Sequence, residues 1–71
     1  MANDIKRQFG ERIRKLRKKR GWKLIELSVE TGRGRVFLSN LENGKHEPKL
    51  GTIKKLADAF GLTISQLMRG L

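Results

Sequence analysis

The sequence predicts an all-α protein, a compact bundle of five short helices. Three observations lead there. Apolar residues recur at three- and four-residue spacing along most of the chain. No segment alternates apolar and polar residues with the two-residue period of a strand. Glycines stand where the periodic runs stop, at Gly21, Gly32, Gly44 and Gly61.

The first helix is predicted from about Ile5 to Arg20. Phe9, Ile13 and Leu16 share one face, Asn3 or Asp4 serves as N-cap, and Gly21 suits a left-handed C-terminal cap. Its opposite face carries Arg7, Arg14, Lys15, Lys18 and Lys19. Such a face is either simply solvated or a place where a terminal turn meets phosphate. The second helix is predicted over Leu24 to Thr31, with Leu27 and Ser28 turned inward, and the third over Arg35 to Asn43, with Leu38 and Leu41 buried. Pro48 falls in the loop that follows. The fourth helix is predicted from Leu50 to Phe60, where Ile53, Leu56, Ala57 and Phe60 share a face. The fifth begins at Ile64, behind a capping box of Thr63 and Gln66. The expected core is Phe9, Ile13, Leu16, Leu27, Leu38, Leu41, Ile53, Leu56, Ala57, Phe60 and Leu67.

A chain of 71 residues makes one small domain, here taken as residues 1–71. It has no cysteine, which excludes disulfides and thiolate metal sites. The one histidine, His46, cannot assemble a metal cluster or a proton relay alone and reads as a solvated loop residue. No metal, cofactor or catalytic constellation is expected, so the protein reads as a non-enzyme. With no signal peptide and no apolar run of spanning length, the expected location is cytoplasmic, with no membrane partner. The net charge is +10, and it is uneven. Residues 1–23 hold ten basic and two acidic side chains, whereas the remaining 48 hold seven and five. Such a surplus implies a polyanionic partner.

The stretch GRGRVFLSNLE, residues 32–42, decides which one. Only Arg33 and Gly34 separate Gly32 from the third helix, a turn tight enough for a helix-turn-helix over about residues 24–43. IRKLRKKRG (13–21), Leu27, TG (31–32), LSNLENGK (38–45), Pro48, Thr52, LADAFGL (56–62) and Leu67 follow one another in an order that resembles the phage-repressor and Cro type (xenobiotic-response-element) of helix-turn-helix domain. The resemblance spans about residues 9–67.

That resemblance implies a lambda-repressor-like fold and binding to double-stranded DNA through the major groove. It implies base contacts from Arg35, Val36, Phe37, Ser39 and Asn40, and the chemistry agrees: arginine pairs with guanine, asparagine with adenine, and apolar side chains meet thymine methyls. Phe37 has an alternative place in the core, and Asn40 on a merely wet face. Phosphate contacts are implied for Lys23, Leu24, Arg33, Asn43, Lys45 and Lys49. Arg17 and Glu42 match a structural ion pair of the family. A homodimer is implied through Leu62, Ile64, Met68 and Leu71, although Ile64 and Met68 have the alternative of finishing the monomer core.

The chain departs from the pattern in places. Leu24 stands where glutamine is usual, Lys23 where a serine or threonine cap is usual, and Arg33-Gly34 where a buried apolar residue and a hydroxyl are usual. Arg33 is expected to extend towards phosphate. The implied function is a transcription regulator on a two-fold operator: prophage repressor, restriction-modification controller or antitoxin-type autoregulator. The alternative from the charge alone is a small basic RNA-binding or bridging protein without sequence preference.

Overall fold

A computed structural model of the chain describes residues 4–71. It contains α1 (Ile5–Lys19), α2 (Leu24–Thr31), α3 (Arg35–Glu42), α4 (Leu50–Ala59) and α5 (Ile64–Leu67), and no strand among the described residues. Each helix lies within a residue or so of its predicted bounds. Asp4 caps α1 by accepting from the Arg7 amide at 3.2 Å. Asn3, the other candidate cap, lies outside the described residues. The capping box of α5 is present: the Gln66 amide donates to Thr63 Oγ1 at 3.0 Å, and the Thr63 amide donates to Gln66 Oε1 at 2.9 Å.

Lys23 has no side-chain acceptor for the free amides of α2, and the start of that helix is tied differently. Glu26, three residues on, accepts from the Lys23 backbone amide at 2.6 Å, so one half of a capping box works without the other. Gly32 then ends α2 with φ +71°, a left-handed conformation that costs a side chain dearly and glycine little.

Phe9, Ile13, Leu27, Leu38, Leu41, Leu56, Ala57, Phe60 and Leu67 form the buried core. Two expected core residues, Leu16 and Ile53, are half-buried and pack on its rim instead. Helical spacing assigns a face but not how deep that face sits. Ser28 is likewise half-buried, and its hydroxyl donates to the Arg33 carbonyl.

The most demanding packing is between α1 and the end of α3. A Cβ on Gly10 would lie 2.3 Å from the Leu41 carbonyl oxygen and 2.7 Å from that of Glu42. Only a hydrogen at this position lets the two backbones meet. One turn earlier, a Cβ on Gly44 would lie 2.9 Å from the Arg7 Cα, so the loop after α3 is also pressed on α1.

Candidate nucleic-acid interface

The third helix is held at both ends, and its holding groups come from the sequence neighbourhood already singled out. At its C-terminal end Arg17 meets Glu42 face to face. Nε donates to Glu42 Oε2 at 2.7 Å and Nη2 to Oε1 at 3.0 Å, a bidentate pair whose side chains are only 12% and 5% exposed. The same guanidinium donates through Nη1 to the Trp22 carbonyl at 2.8 Å. The hydrogen bond from Glu42, aided by its charge, raises the Arg17 pKa above its usual value, against the opposing effect of burial.

At its N-terminal end α3 is fixed by the turn. The buried Thr31 hydroxyl donates to the Leu27 carbonyl at 2.8 Å and accepts from the Arg33 amide at 3.3 Å. Arg33 Nε donates to Thr52 Oγ1 on α4 at 3.3 Å. Arg33 therefore lies half-buried across to α4 rather than standing free in solvent. Gly34 is the N-cap and supplies no side-chain oxygen.

With both ends held, the outer face of the first turn of α3 is open. Arg35 and Val36 are exposed, Val36 at 76%, and Ser39 is half-buried beside them. Together with Lys23, Leu24 and Ile25 they line one open groove of about 420 Å³. The structure thus brings three of the expected base-contacting residues next to two of the expected phosphate-contacting ones. Asn40 follows one turn after Val36 on the same side and is half-buried. Phe37 lies elsewhere. It packs against the core, and its ring stacks on His46 with centroids 5.5 Å apart. His46 is exposed, as expected of a loop residue, but it has this partner. Asn43, Lys45 and Lys49 are all exposed in and around the loop between α3 and α4.

Sequence reasoning missed several residues that tie the α1 end of the domain to α4 and α5. Arg12 crosses to α5, donating through Nε to the Leu67 carbonyl at 3.0 Å and through Nη2 to that of Gln66 at 2.9 Å. Arg20 donates to the Phe60 carbonyl and lies over the rings of Trp22, 5.3 Å away, and Phe60. Trp22 and Phe60 stack at 5.6 Å. Nothing in the run of basic residues distinguishes Arg12 and Arg20 from their solvated neighbours. Trp22, just after a helix-ending glycine, was the available signal.

A helix-turn-helix family model matches residues 13–67, which contain both helices of the motif and the core helices around them. The chain belongs to the helix-turn-helix family, of the Cro and phage-repressor type. It is 36% identical over 61 residues to the transcriptional regulator DdrOP3 of Deinococcus deserti, an alignment covering 86% of this chain and 47% of that protein. It is 36% identical over 70 residues to control protein C.MunI of a Mycoplasma species, covering 92% of this chain and 89% of that one. Among solved structures, the restriction-modification controller protein C.AhdI of Aeromonas hydrophila superposes with a TM-score of 0.82 at 31% identity, covering 86% of this chain and 92% of that chain. The chain therefore spans about half the length of the Deinococcus regulator but nearly the whole of either controller. This is a family of DNA-binding transcription regulators and not of enzymes. No helix among the described residues is long and apolar enough to cross a membrane.

Proposed function

We propose that this protein is a cytoplasmic, sequence-specific transcription regulator that binds a two-fold symmetric operator as a homodimer, and that it is a controller protein of the restriction-modification type. The groove shared by Lys23, Leu24, Arg35, Val36 and Ser39 carries the DNA-binding part of this reading. It combines a charged, bidentate-capable arginine and an exposed apolar side chain at the start of a helix held at both ends. That is what direct reading of base edges requires. Arg35 pairs with guanine, Val36 meets a thymine methyl, and Ser39 and Asn40 contact the next base edges. Phe37, stacked on His46, bounds the face rather than entering the groove. Lys23, Asn43, Lys45 and Lys49 contact phosphate, and the start of α2 at Leu24 offers backbone amides.

One recognition helix reads too few base pairs to locate a site in a genome, which argues for two copies. Ile64 and Leu71 are 41% and 39% exposed, and Met68 and Leu62 are half-buried. This apolar end of the molecule is the proposed dimer contact. Similarity to two controller proteins supports the subtype.

Selection of bound duplexes from a random DNA pool tests the reading. An inverted repeat is expected, with half-site centres about 34 Å apart, one turn of DNA. Recovery of duplexes with no shared sequence, or tighter binding to RNA than to the selected DNA, would overturn it.

A further inference from the structure

The basic residues of α1 divide into two groups with different fates. Arg12, Arg17 and Arg20 turn inward or along the surface, onto the Gln66 and Leu67 carbonyls, Glu42, and Phe60 respectively. Arg14, Lys15, Lys18 and Lys19 are exposed, and none of them meets a carboxylate within ion-pair distance among the described residues. These four also oppose one another. Arg14 with Lys18, and Lys15 with Lys19, stand four residues apart, the spacing at which like charges destabilise a helix. The helix dipole favours Lys18 and Lys19 in the last turn, but its effect fades within one turn and does not reach Arg14 and Lys15. Glu11, three and four residues before Arg14 and Lys15, offers those two an opposite charge at helical spacing, but it lies within ion-pair distance of Arg7 and of neither of them.

We infer that this outward face of α1 is a second duplex-binding surface, by which a protein seated on its operator captures another segment of double-stranded DNA. The inference rests on the operator-binding reading of α3. The two faces diverge. Helix α1 meets α3 through Phe9, Gly10 and Ile13, against the buried side of Leu41 and Glu42, so its cations point away from that contact. The groove at Arg35 and Val36 opens on the outer side of α3. None of Arg14, Lys15, Lys18 and Lys19 lines that groove.

The chemistry of the face selects the partner. Its four cations lie within about 7.5 Å of helix axis. A duplex presents about four phosphates over that length. The face has no aromatic side chain on which unpaired bases could stack, since Phe9 is in the core and Trp22 is stacked on Phe60. It has no apolar stripe to enter a membrane, for Gln8 and Glu11 continue it towards the N-terminus.

The test immobilises the selected operator duplex, saturates it with protein, removes free protein and presents a labelled random-sequence duplex. The parent protein is expected to retain the second duplex, with retention falling steeply as salt rises. The variant R14Q/K15Q/K18Q/K19Q is expected to bind the operator within about threefold of the parent and to retain at least tenfold less second duplex, as about four lost phosphate contacts require. Its melting midpoint, unchanged or raised, shows that folding is intact. Equal retention by parent and variant overturns the inference. So does a parent that fills the operator and retains nothing, or a variant whose operator affinity falls as far as its retention, since the face would then belong to the operator contact. Preferential retention of single-stranded RNA or anionic vesicles would assign the face to another class of partner and also overturn it. Failure to select any operator sinks the regulator reading separately, and retention is then read on an immobilised random duplex.

Discussion

Replacing Glu42 by glutamine keeps the shape of the side chain and removes its charge. The consequence follows from the geometry around Arg17. The guanidinium is 12% exposed and makes three hydrogen bonds, two to the carboxylate and one to the Trp22 carbonyl. Glutamine offers one acceptor and turns an amide N–H towards the other guanidinium nitrogen. Arg17 keeps its charge with little water to solvate it, a situation that costs about 3–5 kcal/mol. The retained bond to Trp22 and the residual exposure place the value near about 3 kcal/mol. A chain of this size has about 4–11 kcal/mol of stability in total, so the variant folds with a midpoint lowered by about 12–24 °C. Because the hydrogen bond to Glu42 raises the Arg17 pKa above the ordinary arginine value, its contribution is complete below that ordinary value and is lost only at still higher pH. On this group's account, the gap between parent and variant stays level from neutral to moderately alkaline buffer. Thermal melts followed by circular dichroism measure both. The double replacement R17M/E42L is expected to recover more than about half of the loss, because two well-packed apolar side chains strand no charge. A midpoint for E42Q within about 2 °C of the parent would refute the argument and give the pair the small worth of a solvent-exposed one.

Three further outcomes are expected. G10A adds a methyl where two carbonyl oxygens lie 2.3 and 2.7 Å away; overpacking outweighs the better helix propensity of alanine, for a net loss of about 2 kcal/mol in melts, and a stabilised variant would mean that α1 and α3 have room to part. R35A is expected to cost about 1–3 kcal/mol on the selected operator in titrations and to relax preference at one base pair, with a far smaller loss on random DNA; equal losses would make Arg35 a phosphate contact only. I64E changes an exposed position, unlike the half-buried Met68, and so tests the proposed dimer without disturbing the core. Sedimentation should show a folded monomer with weakened operator binding, and an unchanged dimer would move the interface elsewhere.

The helices were legible because their signals are local. The Asp4 and Thr63 caps, the glycines that end α1 and α2, and the spacing of Phe9–Ile13 or Leu56–Phe60 all act within a turn or two. What was not legible depends on distance in sequence. Gly10 reads as an indifferent residue in a helix until α3 arrives against it. Leu16 and Ile53 carry the same spacing as their neighbours, yet they sit on the rim, a depth that the arrangement of the helices sets and spacing does not. Arg33 followed a generally sound rule, that long cations extend into water, and lies across to Thr52 instead because α4 presents a hydroxyl there.

Charge was the most prominent feature of the sequence and the poorest guide to position. Ten cations in the first 23 residues imply a polyanion somewhere, but three of those arginines hold the fold together. Arg12 and Arg20 do so by donating to carbonyls at the ends of α5 and α4, and Arg17 by pairing with Glu42. Arginine suits this work because its planar head offers several donors at once and keeps its charge. The groove at α3 carries few charges in comparison, Lys23 and Arg35. On the proposed reading, its capacity to read DNA comes from placement. Glu42 and Gly10 fix one end of the helix, Thr31, Arg33 and Thr52 fix the other, and the side chains between them are left facing out. Substitutions at Arg17 or Thr52 therefore act on operator affinity through the position of α3 as well as through stability, although neither residue faces the groove.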